Sequence, residues 1–378
     1  MSLSPLRIYN LLFPKYPEPA ELSSTVSVDA SSKPIRIGIL GAAAIAPKAV
    51  INPAKLMPDV AVIWTVAARN KEKAEEYASK YGIPHVHDNY DQLLDDPEVD
   101  AVYIPLPNGL HAEWTIKAID RKKPVLLEKP VTSNADQAAK LFAYAEDKNV
   151  LITEAVHWWY HPAAKAVKAI VSDAEEFGEI EAVEASLCTN FRFSNGNIRF
   201  NYDLAGGSVM DMGFYPISWT RYFLNEDPVT ALKKGLITDP RDDRVDTYAN
   251  VEFSFASNEK KKATIYTGMI TPVTTLWKLG IIPKVIIKSS KKNLVYTLPL
   301  LPHVYHNVSV KDNVTGKITN TSYFEPGKET WSTYAYQLEA FAKAVRGKDV
   351  KLYSHEDSVA NMVAIDKAYE ALGLPLRK

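Results

Sequence analysis

The chain has 378 residues, 46% hydrophobic and 24% charged, which is too many for one compact core and predicts two domains. Lys and Arg total 44 against 45 Asp and Glu, and this balance argues against nucleic acid as the main partner, because nucleic-acid binders usually carry a basic excess. No run of about 18 apolar residues is present, so no membrane-spanning helix is predicted.

Residues 1–33 are rich in proline and serine and predict an N-terminal arm, either packed on a subunit or free as a tail. This segment has neither the charged start nor the apolar stretch of a secretory signal, so we expect a cytoplasmic protein. The eight histidines are scattered, and no metal site is predicted. Cys188 stands alone in an apolar run and is interpreted as a buried, inert thiol.

Residues 34–153 alternate short apolar runs with amphipathic helical stretches. Strands separated by helices of about ten residues predict βαβ units, and hence a doubly wound parallel sheet of the Rossmann type in an α/β protein. The predicted strands are Ile35–Leu40, Val60–Ala68, His85–His87, Ala101–Ile104, Pro124–Glu128 and Leu151–Glu154. The predicted helices are Ala44–Leu56, Lys71–Tyr81, His111–Asp120 and Ala135–Lys148, with a helical turn at Tyr90–Leu94.

Residues 154–378 have a different pattern, with long alternating strands and few helices. They predict an α+β substrate domain built on a large, open, mostly antiparallel sheet with helices on one face. The predicted strands are Glu179–Phe193, Ala231–Leu236, Tyr248–Phe255, Lys262–Gly268, Trp277–Ser289, Asn293–Pro299 and His306–Val310. The predicted helices are His161–Val171, Thr333–Arg346 and Ser354–Ala371.

The turn after the first strand occupies the place of a dinucleotide fingerprint. Gly41 would make the tight turn, Ala43 stands where the second glycine lets the backbone approach a pyrophosphate, and Ala46 permits close helix–strand packing. Ala44 and Ile45 complete the turn, whose free N–H groups would attract the pyrophosphate. The match is degenerate, and an alanine-rich turn of any α/β protein is the alternative.

The end of the second strand bears on the choice of nucleotide. NAD enzymes tend to place a carboxylate there, whereas this chain has Arg69 and Asn70, with Lys73 one turn further on. A guanidinium suits bidentate binding of a 2′-phosphate, so NADP is favoured over NAD. A solvent-facing arginine is the alternative.

Two further segments carry the candidate chemistry. Lys129 follows the fifth strand within Glu128-Lys129-Pro130, at the carboxyl edge where parallel sheets bind ligands; a salt-bridged surface pair is the alternative. Asp211 and Tyr215 follow Gly206-Gly207 and are four residues apart, so they would share one helix face. A carboxylate and a phenol on an apolar helix are costly unless used, although a structural hydrogen-bonded pair is equally compatible.

These segments, together with Leu106–His111, Glu154-Ala155 and His161-Pro162, resemble the Gfo/Idh/MocA family in their order along the chain. The resemblance runs from about Lys33 to the last residue. It is closest to the branch of glucose–fructose oxidoreductase, dimeric dihydrodiol dehydrogenase and NADP-dependent xylose dehydrogenase, because Tyr215 stands where inositol dehydrogenases carry histidine.

The resemblance implies an NADP-dependent dehydrogenase or reductase for a sugar, polyol or related cyclic alcohol, most simply a homodimer. Tyr215 would be the acid–base group, Lys129 would assist it and lower its pKa, and Asp211 would hold a substrate hydroxyl or the Lys129 ammonium. Cofactor contacts are expected from Pro105, Leu106, Asn108, His111, Glu128 and Lys129, and substrate contacts from Trp158, Trp159, His161, Asn190, Arg192 and Arg199. The aromatic run at 157–160 suggests a ligand bulkier or less polar than a free hexose.

Two other functions remain open from the sequence. A regulator that senses NADP while binding a protein partner is one, although it need not keep Lys129, Asp211 and Tyr215 together. An oxidoreductase that never releases its nucleotide is the other.

Overall fold

The computed structural model describes residues 33–190, 193 and 196–378, so the arm predicted at 1–33 lies outside the described residues except for Lys33. Two separate sheets organise the described chain, one of six strands and one of eight. No helix in this part of the chain is long and apolar enough to cross a membrane.

The six-stranded sheet is parallel throughout, in the order β3-β2-β1-β4-β5-β6. Its central strands are buried on both faces, as expected for a parallel sheet covered by helices, and the predicted Rossmann arrangement is confirmed. The connections run outward from β1 toward β3 on one side and from β4 toward β6 on the other, and such sheets bind ligands at the point between β1 and β4 where this order reverses. The strands are β1 (Ile35–Leu40), β2 (Ala61–Ala67), β3 (His85–His87), β4 (Ala101–Ile104), β5 (Val125–Leu127) and β6 (Ile152–Glu154).

Five α-helices accompany this sheet: α1 (Asn52–Leu56), α2 (Lys71–Tyr81), α3 (Tyr90–Asp95), α4 (His111–Asp120) and α5 (Ala135–Asp147). The first predicted helix, Ala44–Leu56, begins later than expected, with a π-helical turn at Pro47–Ile51 leading into α1. Pro47 and Pro53 lack the N–H that an α-helix needs in its interior, which explains the late and irregular start.

The eight-stranded sheet has the order β14-β13-β12-β11-β7-β10-β9-β8, and only β7 and β10 pair in parallel. The predicted large, mostly antiparallel sheet is therefore confirmed. Its strands are β7 (Ile180–Cys188), β8 (Pro228–Asp239), β9 (Asp242–Phe255), β10 (Lys262–Gly268), β11 (Lys284–Ser289), β12 (Lys292–Thr297), β13 (Asn307–Asp312) and β14 (Ile318–Thr321).

Several strand predictions differ from the structure in their bounds or type, and one strand was not predicted. The predicted strand Trp277–Ser289 is a helix at Val273–Leu279 followed by β11, because Gly280, with φ of 76°, and Pro283 break the chain between them. The predicted strand Glu179–Phe193 ends at Cys188. β14 was missed because all four of its side chains are exposed, so it has no apolar alternation.

Five further α-helices are present in the described chain: α6 (Pro162–Ser172), α7 (Phe214–Leu224), α8 (Val273–Leu279), α9 (Thr333–Val345) and α10 (His355–Leu372). α9 packs against α1 and β2 on the side of the parallel sheet. α7 packs against β7, while α10 packs against both β8 and α5 and so joins the two sheets. Cys188 is buried, and burial raises the pKa of its thiol to about 12, which agrees with an inert cysteine.

Candidate active site

A cleft of about 600 Å³ opens at the carboxyl ends of β1, β2, β4 and β5, the edge of the parallel sheet that binds ligands in this fold. The residues that line it come from both sheets. On the parallel-sheet side they are Gly41, Ala42, Ala43, Ala44, Ile45, Ala68, Arg69, Asn70, Lys73, Tyr90, Pro105, Leu106, Pro107, Asn108, Leu110, Glu128 and Lys129. On the other side they are Leu187, Ile198, Arg199, Leu204, Gly206, Asp211, Met212, Tyr215, Leu300 and Tyr334.

The turn after β1 has the backbone of a phosphate-binding loop despite its alanines. Gly41 has φ of 114°, a conformation open to glycine, and its N–H donates to Ala67 O at 2.7 Å. The phenol of Tyr77, on α2, donates to Ala43 O at 2.9 Å and fixes the turn from behind. Ala46 is fully buried and lies behind the turn instead of in the cleft, as its packing role requires. Sequence reasoning missed Tyr77, which looked like one more residue of a charged helix.

The end of β2 presents positive charge to the mouth of the cleft. Arg69 and Lys73 are exposed and line the cleft, and within the described residues neither forms an ion pair with a carboxylate. The side chain of Asn70 caps α2 by accepting from Lys73 N at 2.8 Å. Two positive charges at the start of α2, neither paired with a carboxylate of the described chain, suit the binding of a phosphate monoester.

The loop after β4 reaches the cleft through Leu106 and Asn108, and Asn108 Nδ2 donates to Ala205 O at 3.3 Å. His111 does not reach the cleft. It is fully buried, and its ring nitrogens lie 2.8 Å from Leu106 O and Pro130 O, so it ties the two loops together. Burial lowers the pKa of His111 to about 4. His111 therefore holds two loops together and does not lie where it could make the expected contact with the nicotinamide ribose.

Lys129 follows β5 and points across the cleft to the second sheet. Its Nζ lies 2.9 Å from Asp211 O and 3.0 Å from Asp211 Oδ1, and 4.8 Å from the centre of the Tyr215 ring. Glu128 beside it accepts from the phenol of Tyr103 at 2.6 Å and from the N–H of Lys129 at 3.2 Å. Burial raises the pKa of Glu128. Glu128 therefore orients the backbone of Lys129, and Lys129 bridges the two halves of the site.

Asp211 sits in a π-helical turn, Val209–Gly213, that leads into α7. Its Oδ1 accepts a hydrogen bond from Lys129 Nζ, and its Oδ2 accepts one from Arg199 Nε at 2.5 Å. Burial alone would raise the pKa of Asp211, but the charges of Lys129 and Arg199 outweigh it and the pKa is lowered. The carboxylate is therefore ionised at neutral pH and shared between two cations.

Tyr215 lies near the start of α7, and the π-turn before it means that Asp211 and Tyr215 do not share one regular α-helical face as predicted. They nevertheless meet at Lys129. Burial, followed by the charges of Glu128 and Asp211, raises the pKa of Tyr215 well above its ordinary value. The direction is opposite to the lowering that the sequence suggested, so the phenol keeps its proton at neutral pH.

The Gly206-Gly207 segment is held by residues that the sequence did not single out. Arg377 and Asp246 form a fully buried ion pair of 2.9 Å, and Arg377 Nε also donates to Gly206 O at 2.7 Å. Asp246 accepts from Val209 N at 2.6 Å. Gly207 has φ of 137°, and a Cβ there would collide with both members of the pair. The network fixes the chain two residues before Asp211.

The predicted aromatic floor is not in the cleft. Trp158 is fully buried against Trp219, and Trp159 packs edge-on against Tyr160. His161 caps α6 by accepting from Ala163 N. The turn at His157–Tyr160 directs these side chains into the core, so they are corrected to packing residues, and the bulkier ligand they suggested loses its support.

Of the polar residues predicted to contact substrate hydroxyls, Asn190 and Arg199 lie in the described chain, and of these two only Arg199 lines the cleft. Asn190 is exposed at an isolated bridge to Ile270, and Arg192 lies outside the described residues. Sequence reasoning missed the apolar and aromatic lining beside the candidate chemistry, because it comes from single positions on separate elements: Leu187, Ile198, Met212, Leu300 and Tyr334.

Comparison with known proteins identifies both parts of the chain. Residues 35–156 match the model of the GFO/IDH/MocA oxidoreductase family, NAD-binding Rossmann fold, and residues 164–281 match the GFO/IDH/MocA C-terminal domain. The chain is 35% identical over 337 residues to D-xylose 1-dehydrogenase (NADP(+)) 2 of Haloferax volcanii, covering 88% of this chain and 96% of that protein.

A further relative and a solved structure are also similar to this chain. A dTDP-3,4-didehydro-2,6-dideoxy-alpha-D-glucose 3-reductase of Saccharopolyspora spinosa is 38% identical over 202 residues, which is 53% of this chain and 59% of that protein. The structure of KijD10, a 3-ketoreductase from Actinomadura kijaniata in complex with NADP and TDP-benzene, superimposes with a TM-score of 0.77 at 26% identity, covering 90% of this chain and 98% of that one.

Proposed function

The chain belongs to the Gfo/Idh/MocA family of oxidoreductases, and from this premise we propose that it is an NADP-dependent dehydrogenase or reductase of a sugar or related polyol. The observation that carries the proposal is the convergence of Lys129, Asp211 and Tyr215 at the wall of the cleft that the Gly41 turn also lines. Relatives named as an NADP-dependent xylose dehydrogenase and an NADP-bound ketoreductase support it.

The residues of the cleft fit NADP. The turn at Gly41–Ile45 would receive the pyrophosphate, and Arg69 with Lys73 would bind the 2′-phosphate, which favours NADP over NAD. Pro105, Leu106 and Asn108 would follow the nucleotide toward Glu128 and Lys129. When bound, the nicotinamide supplies a hydride acceptor or donor.

Tyr215 would exchange the proton of the reacting hydroxyl or carbonyl oxygen. Because its pKa is raised, the phenol is protonated at neutral pH and can donate its proton to a carbonyl oxygen during reduction. During oxidation, the phenol must give up its own proton as it accepts the proton of the substrate hydroxyl. Lys129 would donate a hydrogen bond to the same oxygen and stabilise negative charge there. Asp211 would hold the Lys129 ammonium in place, and Arg199 would bind another substrate oxygen.

The lining suits a polyhydroxylated ring with one apolar face. Met212 and Leu300 offer apolar contact and Tyr334 offers an aromatic surface, while Lys129, Asp211 and Arg199 offer charged groups to the hydroxyls. Five- and six-membered sugar rings present both kinds of surface.

The test is turnover with NADP⁺ against aldoses and polyols, and with NADPH against keto sugars, in wild type and in Tyr215→Phe. We expect turnover with at least one sugar in the wild type, and a loss of about 10²–10⁴-fold in the variant with NADP binding retained. Tyr305→Phe, the same change at an exposed site, is the control and should not alter turnover. Tight NADP binding without turnover across the panel would contradict the proposal and favour an NADP-sensing regulator. Stoichiometric NADP that co-purifies and does not exchange would indicate a recycling enzyme.

The proposal extends to organisation and assembly. We divide the chain into an arm (1–33), an NADP-binding domain (34–153) and a substrate domain (154–378), and we propose a homodimer formed through the outer face of the large sheet. The edge strand β8 exposes Val229, Leu232 and Ile237, apolar side chains that association would cover. Light scattering at micromolar concentration tests this, and a monomeric mass would contradict it. A cytoplasmic location remains a prediction from the sequence.

A further inference from the structure

Tyr215 has a second polar neighbour besides Lys129. His157, in the turn after β6, is buried, and its Nε2 lies 3.4 Å from the Tyr215 hydroxyl oxygen. Its other ring nitrogen, Nδ1, lies 2.8 Å from Oγ1 of Thr333 at the start of α9. The ring is stacked on Tyr334 at 4.1 Å between centroids. A chain of three polar groups therefore runs from the cleft into the core.

The imidazole of this chain is neutral. Burial is the main cause that lowers the pKa of His157 well below its ordinary range, and the positive charge of Lys129 adds to it. A neutral imidazole has one nitrogen that carries a hydrogen and one with a free lone pair. A threonine hydroxyl can accept a hydrogen bond from the first or donate one to the second. When Nδ1 donates to Thr333, Nε2 is free to accept the phenolic proton of Tyr215. When the Thr333 hydroxyl donates to Nδ1, Nε2 donates to Tyr215 and the phenolic proton is free to face the cleft.

We propose that His157, with its tautomer set by Thr333, is a positioning residue that exchanges a proton with Tyr215 during the reaction. The inference rests on the proposed function, because it assigns a partner to the acid–base group. It answers a difficulty of the site: a phenol buried beside Glu128 and Asp211 resists becoming a phenolate.

The proton balance of the step is simple. In the direction of oxidation, the substrate C–H bond breaks with its electron pair, and the hydride reduces the nicotinamide. The substrate O–H proton moves to the Tyr215 oxygen while the Tyr215 proton moves to His157 Nε2, so a C=O bond forms and no phenolate accumulates. The neutral imidazole of His157 gains one positive charge and becomes an imidazolium as the nicotinamide loses one. Reduction of a carbonyl reverses each transfer.

His157→Phe tests the proposal, since it keeps an aromatic ring for stacking on Tyr334 while removing both nitrogens. We expect kcat to fall about tenfold or more, with the KM values for sugar and NADP changed by less than about threefold. Thr333→Val, which removes only the hydroxyl, should change kcat in the same direction by less. A kcat within about twofold of wild type in His157→Phe overturns the proposal.

The pH profile separates this role from simple packing. The groups facing His157 are Tyr215 on α7, Lys129 after β5, His303 before β13 and Tyr334 on α9, and the substitution leaves all of them in place. Without the imidazole, Tyr215 must form a phenolate to take the substrate proton, so the pH at which oxidation reaches its plateau should rise. An unchanged profile overturns the proposal.

Nitrogen NMR of histidine-labelled protein gives a readout that needs no turnover. The His157 signals, assigned by their absence from His157→Gln, should show a neutral ring whose tautomer population changes in Tyr215→Phe and in Thr333→Val. Signals unaffected by both substitutions overturn the proposal even if His157→Phe does not fold. If Tyr215→Phe keeps full activity, the proposed function fails. If Tyr215→Phe is inactive and His157→Phe is fully active, only the inference about His157 fails.

Discussion

Lys129 Nζ lies 3.0 Å from Asp211 Oδ1, although the two residues are 82 positions apart in the chain. Lys129 follows a strand of the parallel sheet, and Asp211 belongs to the turn that leads into α7 on the other sheet. Their side chains are only 12% and 18% exposed, so the pair is largely screened from water. The contact bridges the two sides of the cleft and places a cation and an anion near Tyr215.

Replacing Asp211 by Asn should lower the free energy of unfolding by about 3–5 kcal/mol at neutral pH, because Lys129 and Arg199 lose their shared anion. The folded-state pKa of Asp211 is depressed, so its contribution is present above the unfolded pKa, near 4, and is lost as the pH falls further. Urea unfolding at neutral pH and at pH about 3 checks this. The gap between wild type and variant should shrink in acid, while Asp349→Asn at an exposed site should show no gap. A gap that grows in acid would contradict the assignment.

Glu154 predicts a pH effect of opposite sign. This buried carboxyl accepts from Val131 N at 2.7 Å, and burial raises its pKa to about 8 from an ordinary 4.5. Between these values the folded chain keeps a proton that the unfolded chain loses, so stability falls by up to about 1.4 kcal/mol per pH unit. Glu154→Gln removes this decline, and its advantage over wild type should grow from pH about 5 to 8 and then level off.

Thermal or urea unfolding across that range measures the Glu154 effect. Glu179→Gln, the same change at an exposed position, should give a flat difference from wild type. A Glu154→Gln variant whose advantage did not change with pH would show that the carboxyl is ionised in the folded chain.

Arg69→Ala is expected to raise the KM for NADP roughly tenfold to a hundredfold, the equivalent of losing charge-assisted hydrogen bonds to a phosphate. The KM for NAD should barely change, so the preference for NADP falls. Lys73→Ala should add to the effect, since both side chains line the same end of the cleft. Lys80→Ala, an exposed lysine on the same helix, is the matched control. Equal losses for NADP and NAD would argue that Arg69 does not bind the 2′-phosphate.

The Arg377–Asp246 pair is fully buried, and Arg377→Met should lower the free energy of unfolding by about 3–5 kcal/mol because Asp246 is left without its cation. Adding Asp246→Asn to this variant should recover part of the loss, since no unpaired charge remains. Because the pair holds Gly206 and Val209, kcat should also fall in Arg377→Met. Urea unfolding and steady-state kinetics test the two effects. Full stability and activity in the single variant would remove the pair from any supporting role.

The features that depend on local pattern could be predicted from the sequence. Apolar runs separated by amphipathic helices specified the parallel sheet, and the residues after each strand specified the cofactor edge, because parallel strands all end at the same edge. Gly41, Arg69 and Lys129 are predicted from their positions alone for this reason, and all three line the cleft.

The contacts between distant side chains could not be predicted from local pattern and are seen in the folded chain. The depression of the Asp211 pKa depends on Arg199 and Lys129, and the contact of Tyr215 with His157 joins two elements 58 residues apart. The same packing sent Trp158 into the core, although its aromatic run looked like a substrate wall. A one-dimensional pattern gives the period of a strand or helix, but burial and charge at a site are sums over neighbours that only the folded chain assembles.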